Sequence, residues 1–160
     1  GGNDKVSIEN GGGLSGLLDG GEGNNTLIVD DNHPITIDKD GKIIIGGGVG
    51  GSGGGYNNFK NIKGKDNNSG NQTNKITLNS NSNNLSITGP NSGTVDGTAF
   101  TNISDIDLAA GDDNATISAT GSLSGTLKGG EGEENKNGWC QEAEAVVGEE
   151  RWQSQLADWD

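Results

Sequence analysis

The amino-acid sequence predicts an all-β fold: a parallel β-helix or β-solenoid, β-roll-like, ending in a short C-terminal α-helix. Three observations carry that expectation. Only 28% of the 160 residues are hydrophobic, while 31 are Gly. Leu, Ile, Val and Phe together fall just under the ~20% level at which disorder becomes the rival state for a highly charged chain. Short apolar–polar–apolar triplets recur along the chain, and the sequence echoes itself at fixed shifts. A thin core, one side chain wide and repeated along an axis, fits all three.

The triplets are Val6-Ser7-Ile8, Ile35-Thr36-Ile37, Ile76-Thr77-Leu78 and Leu85-Ser86-Ile87. Alternation of period two in β-branched residues marks a half-buried strand. Between them lie Gly, Asn, Asp and Ser, which accept φ > 0 or bond their own backbone and so make turns. Strands this short bury no face alone, but stacked coil on coil they form a ladder with Ile and Val inside and Ser and Thr outside. Helix is disfavoured here, because Gly and Asn are poor helix residues and no 3.6-residue stripe appears. Gly46 to Gly55 and Lys65 to Asn74 lack the alternation and read as protruding loops.

The echoes set a period. Shifted by 109 positions, Gly2, Asp4, Ile8, Gly12, Leu14, Ser15, Gly16, Leu18 and Gly20 to Gly23 meet identical residues, from Gly111 to Gly132. Phe59-Lys60-Asn61-Ile62 resembles Phe100-Thr101-Asn102-Ile103 at a shift of 41, and Asp4–Ile8 resembles Asn25–Val29 at a shift of 21. These shifts are close to five, two and one turns of a unit of ~21 residues, in the range of solenoid repeats. The opening Gly1-Gly2-Asn3-Asp4 reads as the middle of such a unit, as expected of a fragment of a longer chain.

The repeat region is expected to cover residues 1–132. Residues 133–160 form a divergent acidic tail that holds Trp139, Trp152, Trp159, Cys140 and Arg151. Trp152, Leu156 and Trp159 stand at i, i+4 and i+7, one face of a helix. Val146 and Val147 extend that stripe, with Gly148 interrupting. The tail is either a helical cap over the open end of the solenoid, where bare strand edges invite aggregation, or sequence at a fragment's end unrelated to the repeat.

Charge and cysteine content exclude several function classes. A net charge of −13 opposes nucleic-acid binding, which needs Lys and Arg against phosphates, and opposes docking on anionic lipid. One cysteine allows no intramolecular disulfide, and no apolar run is long enough to insert in a membrane.

Gly20-Gly21-Glu22-Gly23-Asn24-Asn25-Thr26-Leu27 resembles the calcium-binding nonapeptide of RTX β-rolls, in which turn carbonyls and Asp carboxylates hold Ca²⁺. Asn25 stands where that motif has Asp, while Asp4 and Asp113 keep the acid and Glu134 substitutes for it. RTX sites also need consecutive nonapeptides, whereas these turns lie ~20 residues apart. The reading from the residues is a Gly-Asn turn whose amides bond along the stack, with a calcium-stabilised RTX-like module as the alternative.

The elements Phe100-x-Asn102-Ile103, Gly111-x-Asp113-Asn114-x-Thr116-Ile117 and Gly121-Ser-Leu-Ser-Gly-Thr-Leu-x-Gly-Gly-Glu-Gly132 resemble repeats of very large bacterial exoproteins. These are the filamentous-haemagglutinin-like and autotransporter-like adhesins, and the resemblance covers about residues 1–132. It implies a secreted or outer-membrane-associated, cell-surface location and a stalk or adhesion role. The implied partners are glycans or proteins of a host or neighbouring cell, and neighbouring repeats of a longer chain. It carries no catalytic, cofactor or metal residue.

A β-helix carbohydrate-active enzyme is the further alternative, and it needs converging carboxylates with a cationic base. His33, in Asp31-Asn32-His33-Pro34, reads as a solvated turn residue. Asp30 and Asp31 point to opposite faces of a strand. Asp105 and Asp107 share a face, with nothing cationic accompanying them, and Arg151 lies in the tail. No enzyme is expected. An ice-binding row would need Thr36, Thr77 and Thr116 in one line, and Ser7, Ser86 and Val29 interrupt it.

Overall fold

The computed structural model describes residues 1–9, 12–30, 33–46, 54–65, 74–79 and 81–130, with the backbone of two further strands at 134–137 and 152–154. The described chain is all-β. Sheet A contains β1 (Lys5–Ile8), β3 (Thr26–Val29), β7 (Asn61–Gly64), β9 (Asn84–Gly89), β10 (Ser92–Val95), β11 (Thr98–Thr101), β13 (Asn114–Ile117), β15 (Glu134–Asn137) and β16 (Trp152–Ser154). Sheet B contains β2 (Leu17–Asp19), β4 (Ile35–Ile37), β5 (Ile43–Ile45), β6 (Gly54–Asn57), β8 (Lys75–Thr77), β12 (Asp105–Asp107) and β14 (Leu127–Lys128). The chain shuttles between the two sheets, and their inner faces share one apolar core.

The alternation predicts the inner face correctly. Ile35 and Ile37 are buried with Thr36 half-buried between them, and Ile76 and Leu78 flank Thr77 in the same way. Leu85 and Ile87 are buried on either side of Ser86. In sheet A the side chains of Leu27, Ile62 and Phe100 stack across parallel registers, Leu27 opposite Ile62 and Ile62 opposite Phe100. Tyr56 and Phe59 close the core edge to face, with ring centroids 6.3 Å apart.

A purely parallel ladder is not what forms. Both sheets are mixed, because each takes one three-stranded antiparallel meander. Sheet A runs β1-β3-β7-β11-β10-β9-β13-β15-β16, and sheet B runs β14-β12-β8-β4-β5-β6-β2. In each meander the first strand pairs ahead (β9 with β13, β4 with β8) and the last pairs behind (β11 with β7, β6 with β2). The first and third strands of a meander run in the same direction, so both outer ladders stay parallel. One meander per sheet also keeps the two sheets in step.

Turn chemistry sets the meanders. Between β10 and β11 stand Asp96 (φ 47) and Gly97 (φ 82), the Asp-Gly pair with both residues at φ > 0 that a two-residue hairpin of matching twist requires. Between β4 and β5, Asp38 accepts the N–H groups of Asp40 and Lys42 on Oδ1, and Gly41 N–H closes onto Asp38 O.

The echoes acquire different meanings. The shift of 21 is a ladder register: Val6 pairs with Leu27, Ile106 with Leu127 and Asn114 with Asn135. The shift of 109 is a conformational repeat. It maps β1 of sheet A onto β13 of sheet A, and β2 of sheet B onto β14 of sheet B. Gly21 (φ 70) and Gly130 (φ 92) are left-handed at equivalent places. The Phe59–Ile62 echo is no register, because Phe100 pairs with Ile62 rather than lying over Phe59; the meander offsets it.

Two further expectations are corrected. Gly46 to Gly55 is not wholly a loop, since Gly54 and Gly55 begin β6 and pair with Ile45 and Ile44; residues 47–53 lie outside the described residues, as do 66–73 of the second expected loop. Trp152 is not helical. It starts β16, which continues sheet A beside β15 with Glu134 opposite Trp152. A parallel neighbour already in place offers its backbone groups to this segment, which a solitary helix would have to satisfy internally. Leu156, Trp159, Val146, Val147, Gly148, Trp139 and Cys140 lie outside the described residues.

Ile62 is 1% exposed at the centre of sheet A, so Ile62→Ala is expected to cost ~2–5 kcal/mol. Gly130→Ala places a Cβ 1.1 Å from the Ala109 carbonyl oxygen and is expected to destabilise at least as much. Thr94→Ala, on the exposed face of β10, stays within about 0.5 kcal/mol. Denaturant unfolding monitored by far-UV circular dichroism checks the order.

Candidate functional site

The polar groups that the fold buries gather at the corners where the chain enters a strand. Asn25 precedes β3, Asn74 precedes β8, Asn83 precedes β9, Ser104 precedes β12 and Asp113 precedes β13, and all five are at most 2% exposed. A short amide or carboxyl suits this place. The ladder begins here, and backbone groups of successive turns need partners that a neighbouring strand does not yet supply.

Asn25 shows the arrangement fully. Its Oδ1 accepts the Asp4 N–H at 2.8 Å, and its Nδ2 donates to Gly21 O at 3.2 Å and Asn58 O at 2.9 Å. Its backbone carbonyl accepts the N–H groups of Lys60 and Asn61. Asn74 donates from Nδ2 to Asn102 O, and its carbonyl accepts from the backbone N–H groups of Ser104 and Asp105 and from the Ser104 hydroxyl. Apart from the local Asn25–Gly21 bond, these bonds tie chain segments 21 to 36 residues apart, so they run between turns of the chain.

Asn83 and Asp113 form the most polar corner. Asp113 Oδ1 accepts the Asn83 N–H at 2.8 Å and its Nδ2 at 3.0 Å. The same Nδ2 lies 2.8–3.0 Å from the carbonyls of Asn79, Asn81 and Leu108. Two amide hydrogens thus face four acceptors. Asp113 Oδ2, Asn83 Oδ1 and Asn74 Oδ1 are buried without a hydrogen-bond partner. Burial pushes the Asp113 carboxyl above its ordinary range; the donors from Asn83 pull it back, and the charges of Asp96 and Asp112 push it further up.

The calcium-like turn ends at one of these corners. Asn25, at the place of the RTX Asp, spends both ends of its amide on bonds along the stack, as the residue-level reading expects. Among the described residues, no three of His, Cys, Asp and Glu come together closely enough to hold a metal ion. Beside the turn lies a shallow depression lined by Gly21, Glu22, Gly23, Asn58 and Lys60, with one anion and one cation.

His33 is not a solvated turn residue. It is 3% exposed, with Nδ1 2.5 Å from Asp30 Oδ1 and Nε2 2.8 Å from Gly12 O. The ring fastens the segment after β1 to the segment after β3, and both nitrogens are engaged. Among the described residues, no hydroxyl or thiol stands in hydrogen-bond contact with either nitrogen. Asp31 lies outside the described residues, and Asp30 pairs with His33 instead.

Asp105 and Asp107 share the outer face of sheet B, as expected, but a cation does accompany them. Lys75 pairs opposite Asp105 in the ladder, and its Nζ lies 3.6 Å from Asp107 Oδ2. Asp105 is also committed to backbone structure, accepting the Thr126 N–H on Oδ1 and the Ser104 hydroxyl on Oδ2. Sequence reasoning missed Lys75 because its partner stands 32 residues away, and only the 30-residue register between β8 and β12 brings them together. The Thr row divides: Thr36 and Thr77 are neighbours in sheet B, while Thr116 lies in sheet A opposite Ser86.

No family model, no curated protein and no solved structure matches the chain.

Asn25→Ala is expected to cost about 2–3 kcal/mol by leaving buried backbone groups unpaired. Asp113→Asn goes the other way. With its carboxyl raised, the native state holds this proton longer than the unfolded chain does. The stability it contributes is therefore full in acid and falls as pH rises from the ordinary carboxylate range through the raised value. Asn at 113, matching Asn25, is expected to gain roughly 1 kcal/mol at neutral pH and to flatten this slope. Thermal melts from pH 3 to 8 check both.

Proposed function

We propose that the chain is a β-solenoid segment with a structural role: a stalk or adhesive repeat of a secreted or cell-surface bacterial protein, without catalytic activity. The observation that supports the reading is the 109-residue echo, which recurs in conformation as well as in sequence. The same strands and left-handed glycine return in the same two sheets, six strands along. A chain that repeats its own geometry makes an array, and an array needs no site in order to work as a spacer or to present a surface.

The polar chemistry supports the same reading. The buried amides and carboxyls are spent on bonds between turns of the chain. His33 is spent on a carboxylate and a carbonyl. Asp105 is spent on backbone and hydroxyl donors. What remains on the surface is acidic and rich in hydroxyls and amides, with Lys75 and Lys65 each beside a carboxylate. Partners consistent with this are glycans or proteins of another cell surface, and further repeats of the same kind.

The reading predicts that the melting midpoint is the same in millimolar Ca²⁺ and in EDTA, and that no reducing ends appear when the chain is incubated with a panel of acidic and neutral polysaccharides. A calcium-raised midpoint would put the RTX-like module in its place. Release of oligosaccharides would put the carbohydrate-active enzyme there.

A further inference from the structure

The two ends of the 109-residue echo have different surroundings. At β13 and β14 the side facing earlier strands is occupied, by β9 in sheet A and β12 in sheet B. At β1 and β2 the corresponding side is, among the described residues, the edge of each sheet.

The bonds that cross onto the later end are specific. Asp113 Oδ1 accepts the Asn83 N–H at 2.8 Å, and the Ser124 N–H donates to Asn91 Oδ1 at 2.8 Å. Gly125 N–H donates to Ser104 O at 3.1 Å, and Thr126 N–H to Asp105 Oδ1 at 2.9 Å. The counterparts at the earlier end, 109 positions back, are Asp4, Ser15, Gly16 and Leu17. All four are exposed.

Apolar burial tells the same story. Ala115 and Leu127 are 0% and 2% exposed, while their counterparts Val6 and Leu18 are only partly buried. Leu123 packs against the core, while its counterpart Leu14 is 41% exposed. Leu14 and Leu17, the latter 60% exposed, are the large hydrophobic side chains that the described residues leave in solvent. Equivalent residues differ by the presence of one layer.

We propose that the β1–β2 edge is a docking surface for another copy of the 109-residue unit, whose β9 and β12 lie on it as they lie on β13 and β14. The proposal rests on the solenoid reading and names the partner of its open end. The occupant follows from continuity with an interface already present inside the chain. The same sequence elements face the same kind of strand, and Asp4, Ser15, Gly16 and Leu17 stand where Asp113, Ser124, Gly125 and Thr126 make their bonds. Both ladders onto β13 and β14 are parallel, so the added unit keeps its direction and the contact is head to tail, which does not close.

The test is a tandem in which residues 1–109 are joined directly ahead of the full chain, because Gly1 corresponds to Ala110 and the junction repeats the natural one. Amides of β1 and β2 in the downstream unit are expected to exchange about tenfold more slowly, or slower still, than in the single chain. Asp4→Ala in the downstream unit is expected to return that protection, and the same substitution in the single chain is expected to leave both exchange and melting unchanged. Equal exchange of β1 and β2 in tandem and single chain would overturn the proposal, as would a tandem indifferent to Asp4→Ala. Either failure leaves the calcium and polysaccharide results standing, so it is distinguishable from failure of the structural reading.

Discussion

A strand of three or four residues cannot hold itself. Fixing its backbone costs ~1–2 kcal/mol per residue, and it buries one or two side chains worth ~1.5–3 kcal/mol each. Each strand becomes stable only where a neighbour's ladder runs along it, on both edges within a sheet and on one at its ends, and the opposite sheet covers its inner face. That constraint shapes the rest of the molecule. It explains why the chain shuttles between two sheets rather than finishing one first, and why each sheet takes one meander.

Corner residues answer the same constraint with polar atoms. Where a ladder begins, backbone N–H and C=O groups have lost water and have not yet gained a strand. Asn25, Asn74 and Asn83 fill that gap with an amide that donates one way along the stack, and Asn25 accepts the other way too. Asp113 does the accepting half with a carboxylate and leaves one oxygen unpartnered. Burial then acts on its charge. The difference between Asn25 and Asp113 is one atom, and it makes the first corner insensitive to acid and the second sensitive.

Legibility of the sequence follows the range of each interaction. Period-two alternation is local, and it places Ile35, Ile37, Ile76, Leu85 and Ile87 inward. The 21-residue step is also legible, because Asp4–Ile8 and Asn25–Val29 are neighbours in a parallel ladder. The meanders carry a weaker mark: Asp96-Gly97 and Asp40-Gly41 are hairpin signals, but in a chain so rich in Gly and Asp they look like any other turn. The burial of His33 rests on Gly12, one 21-residue step back, but it joins a ring nitrogen to a carbonyl outside any strand, which alternation does not mark. The approach of Lys75 to Asp107 spans 32 residues, after a meander has altered the count. Trp152 satisfies a helical stripe by spacing alone, and a waiting sheet edge outweighs that pattern.

The central claim is the in-register parallel pairing of successive turns, and cysteine pairs measure it most directly. In a chain with Cys140→Ser, cysteines at Ser7 and Ile28 replace outward-facing partners of β1 and β3, with Cα atoms about 4.8 Å apart. Cysteines at Ser7 and Thr26 stand two residues out of register, roughly 8 Å apart, beyond the reach of a disulfide. Rapid oxidation of the first pair in the folded chain, with the second remaining reduced, is the result predicted. Oxidation of the second pair in preference to the first, or of both at the rate seen in denaturant, would contradict the stack.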